Sequence, residues 1–440
     1  MECQLWSLPP EIGSYAKDFT GVEHNGFTVS RKQNAMVRLS LCFLIFFPTV
    51  LAAQVSDNVS EIATPVGINA MDPALFKIAN GGMIMSWTEP DGTGFSVKTS
   101  TLQGGNWSKP ATVTTSNSLF VNWADFPTIA AFNDGTLAVS WLQENANLSY
   151  AYDINIALSS DVGKSWGPPI VPHDDQSRRQ HGFLTLLPTV GNEMIAIWLD
   201  ARKYNSQGAK DSYGNAVQLR STTVGKDGSL GKDIPLDLRA CSCCQTSAAI
   251  TGNGTVLIAY RDRTADEIRD ISIVRRHNGI WSDPVNVHAD GWEISGCPIN
   301  GPAIDAQATD AVVAWFTGAD NIATIKVAFS EDSGTTFGPA FQVDSGEAVG
   351  RVDTLMLAKG DALISWVEWT GDGEVLMLCR ATKKDGCVAR QTITEHAAAG
   401  SFNFPKLARS GDTIYLAWTQ PIDSEAGFST IRMVVLDLSD

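Results

Sequence analysis

Cysteine residues form the first candidate site in this chain of 440 residues. Cys241, Cys243 and Cys244 stand together in Ala-Cys-Ser-Cys-Cys-Gln, and Cys297 lies in Gly-Cys-Pro, one repeat further along the chain. Thiolates grouped in this way could bind a soft metal ion, copper or zinc, with His181 as a further candidate ligand. In an oxidising compartment the same residues would form disulfides, and a reactive thiol is the third interpretation.

A separate pair, Cys379 and Cys387, flanks a polar segment at 383–386 that is typical of a hairpin turn. Cysteines that face each other across such a turn are close enough to be joined. We therefore predict a local disulfide between Cys379 and Cys387.

Charged residues form the second candidate site. Arginines converging from different parts of the chain could bind a carboxylate bidentately, and paired carboxylates could serve as acid and base in glycoside cleavage. The predicted acid/base residues are Asp200, Asp262 and Glu267. The predicted substrate-binding residues are Arg202, Arg261, Arg263, Arg351, Asp125 and Asn403. The alternative is that these residues form structural ion pairs between neighbouring elements.

A repeat of aromatic residues predicts the elements that carry both sites. Seven β-rich runs end in an aromatic residue at separations of 51 to 62 residues: Trp87, Trp141, Trp198, Tyr260, Trp315, Trp366 and Trp418. Each run follows an apolar segment and a turn, which is the pattern of a β-hairpin. One copy, residues 125–171, has four predicted strands, the size of a propeller blade. We predict one all-β domain over residues 54–440, a β-propeller of seven four-stranded blades, with six blades as the alternative. The other all-β alternatives, a pair of β-sandwiches or a β-helix, are disfavoured because neither requires seven hairpins at this spacing.

The two ends of the predicted domain complete the ring. One strand, residues 430–438, follows Trp418, so the last blade is one strand short, and the run at 59–66 could fill the gap. Pairing of the chain ends would remove an exposed edge. In such a ring the starts of the first strands and the ends of the second strands surround one mouth of the channel, where both candidate sites would lie.

A turn motif carries a family resemblance. Residues 159–166 and 330–337 both fit Ser-x-Asp-x-Gly-x-x-aromatic. This motif resembles the Asp-box, or BNR repeat, of sialidase-like propellers. The resemblance implies an arginine trio for the substrate carboxylate, an aspartic acid/base and a tyrosine nucleophile assisted by a glutamate; by position the tyrosine candidates are Tyr204, Tyr213 and Tyr260. The chain departs from that family, since no arginine occurs between Gln54 and Ser177 and seven hairpins exceed the usual six blades.

Charge and the N-terminal region suggest where the protein acts. A net charge of −16 disfavours nucleic acid and anionic membranes as partners. Met36 and Arg38 precede an apolar run at 39–51 that ends in small residues, the pattern of a secretory signal peptide. We therefore predict an upstream extension at 1–35, a signal peptide at 36–53, and a secreted or periplasmic mature chain without a membrane span, expected to be a monomer.

These observations predict a glycan-directed function. The charged site and the resemblance together point to an exo-glycosidase of sialidase type acting on a glycan or another small anionic substrate. Two alternatives remain from the same residues. The cysteine cluster would make the protein a copper- or zinc-binding propeller, and a propeller without chemistry would be a binding module or scaffold.

Overall fold

Seven antiparallel β-sheets form the described part of the chain. The structure is a computed structural model that describes residues 55–78, 81–204, 216–396, 402–423 and 428–438. The predicted signal peptide, the segment before it and Tyr213 lie outside these residues. The first strands of the seven sheets contact one another in chain order, and the last contacts the first, so the sheets are the blades of a closed propeller. The predicted seven-bladed, all-β fold is confirmed.

Blades 1 to 3 come from the first half of the ring. Blade 1 contains β2 (Met71–Ile78), β3 (Gly82–Asp91), β4 (Gly94–Gln103), β5 (Asn106–Trp107) and β6 (Ala111–Ser116). Blade 2 contains β7 (Ile129–Ala131), β8 (Leu137–Glu144) and β9 (Tyr152–Ser159), with Ile170 bridging Ile156 in place of a full fourth strand. Blade 3 contains β10 (His181–Pro188), β11 (Glu193–Asp200), β12 (Val217–Gly225) and β13 (Ile234–Ala240).

Blades 4 to 7 continue the ring. Blade 4 contains β14 (Ser247–Ile250), β15 (Val256–Arg261), β16 (Ile271–His277), β17 (Ile280–Trp281) and β18 (Val285–Asn286). Blade 5 contains β19 (Ala303–Gln307), β20 (Asp310–Thr317), β21 (Thr324–Ser330) and β22 (Phe341–Gln342). Blade 6 contains β23 (Ala348–Met356), β24 (Ala362–Trp369), β25 (Glu374–Thr382) and β26 (Gly386–His396). Blade 7 contains β27 (Lys406–Ser410), β28 (Thr413–Asp423) and β29 (Phe428–Leu438).

Strand β1 (Ser56–Ile62) closes the ring. It is the fourth strand of blade 7 and pairs antiparallel with β29, with Val59 opposite Leu436 and Ile62 opposite Met433. The predicted pairing of the chain ends is therefore confirmed, although the strand lies a few residues earlier than 59–66. Two short 3₁₀ helices, Ala319–Asn321 and Ala358–Gly360, occur in the described residues, and none of the helices there could cross a membrane.

The repeated aromatic residues form the core between blades. Six of them, Trp87, Trp198, Tyr260, Trp315, Trp366 and Trp418, are at most 1% exposed. Several tryptophans donate their indole N–H to a polar residue two positions later: Trp87 to Glu89, Trp198 to Asp200, Trp366 to Glu368 and Trp418 to Gln420, over 2.7 to 3.1 Å. Residues i and i+2 share one face of a strand, which makes this bond local. Polar groups at the ends of second strands therefore satisfy the buried indoles.

The two similar turns have the same hydrogen bonds. Ser159 Oγ accepts from Gly163 N and Asp161 Oδ1 accepts from Ser165 N, each over 2.9 Å. In the second turn Ser330 and Asp332 accept from Gly334 N and Thr336 N over the same distance. Both turns follow third strands, at the end of the blades opposite the mouth, so they shape the fold and do not reach the candidate sites.

Candidate functional site

One mouth of the propeller gathers the predicted site residues. The start of each first strand lies beside the end of the second strand, as in the pairs His181 with Asp200 and Ala348 with Glu368. The hairpin turns between these strands lie at the other end of the blades. The side chains at the mouth therefore come from two kinds of segment, those that join one blade to the next and those between the second and third strands of a blade. Their bonds determine which of them a ligand could reach.

Arg261 is enclosed by backbone carbonyl groups. Its Nε and Nη2 donate to the carbonyl oxygen of Asn300 over 3.0 and 2.8 Å, and Nη2 also donates to Phe316 O over 2.7 Å. Nη1 donates to Arg269 O over 2.6 Å, and the guanidinium lies 4.9 Å from the centre of the Trp292 ring. The side chain is 1% exposed. Arg261 thus joins blades 4 and 5, and its donors are not directed at a substrate.

Arg351 is engaged in the same manner in blade 6. Its Nη1 donates to Glu374 Oε2 over 3.1 Å and to the carbonyl oxygen of Phe402, and its guanidinium faces the Trp123 ring at 5.4 Å. The residue is buried. Arg261 and Arg351, two of the four predicted substrate-binding arginines, therefore direct these donors at other groups of the protein.

Asp200 and Arg202 form a buried ion-pair network. Arg202 donates to both oxygens of Asp200 over 2.8 to 2.9 Å and also binds Asp174 and Asp233 at 2.7 and 2.6 Å. Burial opposes ionisation of Asp200, but Arg202 and His181 outweigh it and lower the pKa of that carboxyl. Asp200 therefore stays ionised near neutral pH and is unsuited to act as the general acid.

Glu267 is paired with two arginines. Its carboxylate accepts from Arg263 Nη2 over 2.6 Å and from Arg269 Nη2 over 2.8 Å. Despite partial burial, these two bonds lower the pKa of Glu267. Glu267, a predicted acid/base residue, and Arg263, a predicted substrate-binding residue, neutralise each other. This pairing agrees with the alternative interpretation, in which these residues form structural ion pairs.

Asp262 differs from the other predicted acids. Burial and the charge of Asp237 raise the pKa of Asp262 to about 6, although it accepts from Arg263 N over 2.6 Å and Ser272 Oγ over 2.9 Å. Tyr260 is buried and donates to Asp237 Oδ2 over 2.5 Å, so its hydroxyl faces the protein. Asp262 alone among the three predicted catalytic acids has a pKa in the range expected of a general acid.

Asp125 and Asn403 each form hydrogen bonds to a neighbouring blade. Asp125 accepts from Phe183 N over 2.7 Å and Tyr152 Oη over 2.9 Å, and burial raises its pKa to about 7. Asn403 donates to Asp72 Oδ1 over 2.8 Å, and burial likewise raises the pKa of Asp72 to about 7. A cavity of 10 Å³, room for about one water molecule, is lined by both aspartates. Asp72 and Asp125 are internal carboxyl groups whose ionisation is opposed by burial, and Asn403 is a half-buried partner of Asp72.

The cysteine cluster is compact, and its sulfurs are not joined to one another in the structure. Cys241 Sγ lies 3.4 Å from Cys244 Sγ and 3.8 Å from Cys243 Sγ, and all three residues are buried free cysteines. Cys297 is half-buried, and its Sγ is 3.9 Å from Ser242 Oγ. Burial opposes ionisation of Cys241, yet the thiols of Cys243 and Cys244 and the charge of Arg269 lower its pKa well below that of a free thiol. Burial raises the pKa of Cys243 and of Cys244.

His181 lies in a different cluster from the cysteines. Its Nδ1 is 3.1 Å from Asp153 Oδ1 and its Nε2 is 3.1 Å from Asp175 Oδ2, and its ring stacks on His173 at 3.8 Å with an angle of 8°. A metal ion binds an imidazole nitrogen near the plane of the ring. Two parallel, stacked rings have no common point that lies in both ring planes, so His173 and His181 could bind one ion jointly only after the rings tilt. The structure thus separates His181 from the predicted thiolate site.

Blade 6 opens into a cleft at the mouth. This blade-6 cleft has a volume of 510 Å³ and is lined by Ser345, Gly346, Glu347, Glu368, Trp369, Thr370 and Gly371. Trp369 is half-buried, and Glu347, Ser345 and Thr370 are exposed. Glu368 is held by Trp366 Nε1 over 2.8 Å and by the hydroxyl of Ser345. The half-buried indole of Trp369 and the side chains of Glu347 and Glu368 therefore border one solvent-accessible space.

Sequence reasoning did not bring together two groups of residues. Asp153 lies near the start of β9, His173 and Asp175 lie in the segment between Ile170 and β10, and no spacing motif links them to His181. Glu347 and Trp369 meet because Trp369 N donates to Glu347 O over 2.9 Å. The positions of Trp369, Trp123 and Trp292 outside the aromatic repeat make them candidates for stacking on sugar rings or for packing between blades, but no sequence signal links Trp369 to Glu347.

Cys379 and Cys387 are joined by a disulfide in the structure. They lie in β25 and β26 on either side of the hairpin turn, where the two strands pair closely. This bond is at the end of blade 6 opposite the mouth, so it stabilises the blade and does not contribute to a site there.

Comparison with known proteins identifies the fold class. No family model and no curated protein matches the chain. The BP39L lectin from Burkholderia pseudomallei matches the structure with a TM-score of 0.57 at 11% identity, covering 85% of this chain and 98% of the lectin. An α-L-arabinofuranosidase of Fusarium graminearum gives 0.48 at 11% identity over 88% and 99% of the two chains, and a Hadza microbial sialidase gives 0.41 at 15% identity over 68% and 63%. At these identities the likeness concerns the fold, and the chain is a β-propeller.

Proposed function

We propose that this protein binds a glycan in the blade-6 cleft. The observation that carries the proposal is the half-buried Trp369 beside the carboxylates of Glu347 and Glu368 in a 510 Å³ space. An aromatic ring offers a flat apolar surface for the C–H face of a sugar, and carboxylates accept hydrogen bonds from its hydroxyl groups. The lectin likeness supports the fold in which such a cleft forms.

The charges of the cleft favour neutral or amino sugars. Neither an arginine nor a lysine is among its lining residues, whereas Glu347 and Glu368 are. A sialic or uronic acid would place its carboxylate near theirs, and like charges repel when they are brought together out of water. The ligand proposed for the cleft is therefore an uncharged or amine-bearing glycan, and not the sialoside that the resemblance implies. We also propose that the protein acts outside the cytoplasm, since residues 36–53 have the pattern of a signal peptide.

Trp369→Ala is expected to weaken glycan binding by about tenfold or more, because the stacking surface is lost. The ligand would be selected on an array of neutral, amino and sialylated glycans and its Kd measured by calorimetry. Trp281→Ala is the matched control, since Trp281 is also half-buried but lies on an outer strand of blade 4. An array without any bound glycan, or equal Kd values for both variants, would contradict the proposal.

Hydrolysis is a second candidate function, and Asp262 is the observation that favours it. With a pKa of about 6 it would be protonated on the acidic side of neutrality and could donate to a leaving group. Activity on chromogenic glycosides should then fall as pH rises through about 6, and Asp262→Asn should abolish it. A blank panel with intact far-UV circular dichroism would leave the protein as a lectin.

A further inference from the structure

The cysteine cluster has the geometry of a metal-binding site, and glycan binding makes no use of it. We propose that Cys241, Cys243 and Cys244 bind one soft metal ion, Cu(I) or Zn(II), at the mouth of the propeller. The three sulfurs lie within 4.8 Å of one another, and Cys241 Sγ is 3.4 Å from Cys244 Sγ and 3.8 Å from Cys243 Sγ. A metal–sulfur bond of about 2.3 Å places tetrahedral sulfur ligands roughly 3.8 Å apart. The thiols therefore already have the spacing of a ligand set.

The loop that carries the thiols is held in place from several blades. Cys241 N donates to Arg261 O over 3.0 Å, and Ser242 O accepts from Gln180 Nε2 over 2.9 Å. Gln245 donates to Ala124 O over 2.6 Å and accepts from Gly301 N over 3.0 Å. A Cβ atom on residue 301 would lie 2.1 Å from the carbonyl oxygen of Gln245, so this close approach requires glycine. The ring thus fixes three ligand atoms before an ion arrives.

Positive charge lies beside the sulfurs. Arg269 Nη1 is 3.3 Å from Cys241 Sγ, and Glu267 orients the same guanidinium through Nη2. Three thiolates around Cu(I) or Zn(II) carry a net negative charge, and a buried negative charge is costly unless it is compensated. Arg269 contributes one positive charge to that compensation, and its hydrogen bond to a ligand atom is the kind of outer contact that supports metal sites.

Cys297 is the cysteine whose loss should affect the affinities for Zn(II) and Cu(I) differently. Its thiol contacts Cys243, and it is half-buried, so it lies on the solvent side of the three buried sulfurs. Structural Zn(II) takes four ligands in a tetrahedron, for which Cys297, whose sulfur lies outside the group of three mutually close sulfurs, would have to approach as the fourth. Soft thiolate ligands select Cu(I), and the three buried sulfurs suffice for a three-coordinate ion. Cys297→Ser should therefore weaken Zn(II) binding strongly and Cu(I) binding little.

The test is competitive metal titration of the reduced protein comprising residues 54–440, the predicted mature chain. Cu(I) would be titrated against bicinchoninate and Zn(II) against a chromogenic chelator, with ligand-to-metal charge-transfer absorption as the signature of metal–sulfur bonds. One equivalent of one of these ions is expected, and Cys241→Ser should weaken binding on the order of 100-fold. The double variant Cys379→Ser, Cys387→Ser is the control, since it removes two cysteines remote from the cluster and should leave metal affinity unchanged.

Three results would overturn the proposal. The first is less than a tenth of an equivalent of either ion bound by the reduced chain. The second is a disulfide among Cys241, Cys243, Cys244 and Cys297 in protein purified without reductant, shown by peptide mapping. The third is unchanged affinity in Cys241→Ser with a native circular dichroism spectrum. Since none of these measurements involves a sugar, failure here and failure of glycan binding are independent.

Discussion

Arg261→Met is expected to lower the free energy of unfolding by about 3–5 kcal/mol, because the variant keeps most of the apolar volume but removes every donor of the guanidinium. The carbonyl oxygens of Asn300, Arg269 and Phe316 would lose their partner inside the protein. Each buried acceptor left without a donor costs about 1–3 kcal/mol. Because Arg261 joins blades 4 and 5, the loss should appear in the global unfolding transition, measured by urea titration.

Arg263→Met provides the comparison for Arg261. Arg263 is half-buried and pairs with Glu267, which keeps a second partner in Arg269. Ion pairs that remain near solvent contribute about 0–1 kcal/mol, so this variant should be close to the parent in stability. Equal destabilisation by the two substitutions would show that Arg261 acts as an ordinary surface arginine and would contradict the role given to its carbonyl bonds.

Stability is expected to decrease as pH rises from about 4 to about 7. Burial raises the pKa of Asp72 and of Asp125 to about 7 from an ordinary value of 3.8. Between these values the folded protein binds protons that the unfolded chain has already released, so stability is fully present below the unfolded pKa and is lost as pH rises through the folded one. At 1.36 kcal/mol per pKa unit, each aspartate contributes on the order of 4 kcal/mol to this loss.

Asp125→Asn should remove the contribution of one group. An asparagine is uncharged at every pH and can still accept from Phe183 N, while its amide can donate to Tyr152 Oη. The variant is expected to match the parent near pH 4.5 and to exceed it in stability near pH 8, in urea titrations at both values.

Asp161→Asn is the control with the opposite sign. Hydrogen bonds from Ser165 and Ser159 lower the pKa of Asp161 to about 2, so its contribution is present above the unfolded pKa and is lost only as pH falls through about 2. Its profile between pH 4.5 and 8 should run parallel to that of the parent. Parallel profiles for Asp125→Asn as well would show that the buried carboxyl does not govern the pH dependence.

The ring itself was predictable because its signals are local. Period-two alternation, the turn between paired strands and the aromatic residue at the end of each second strand all act within about ten residues. The spacing from Trp87 to Trp418 therefore predicts seven blades, and the incomplete last blade predicts the pairing of β1 with β29. The same assignment of blades places Cys241 in the loop before blade 4 and Cys297 in the loop before blade 5.

Whether the charged side chains at the mouth are free to bind a ligand could not be predicted from these local signals. Arg261 is satisfied by the carbonyl oxygens of Asn300 and Phe316, and a carbonyl oxygen is present at every residue and leaves no mark on the sequence. His181 meets Asp175 through a loop whose path depends on the whole blade.

Sequence alone determined the fold, its closure and the set of polar residues at one mouth, since each follows from short-range alternation repeated seven times. Tertiary structure alone decided which of those residues are already bonded, that His181 stacks on His173 instead of joining the thiols, and that Trp369 borders a cleft. The physical reason is that hydrogen-bond saturation and burial depend on atoms brought together from distant blades, whereas strand formation depends on neighbours along the chain.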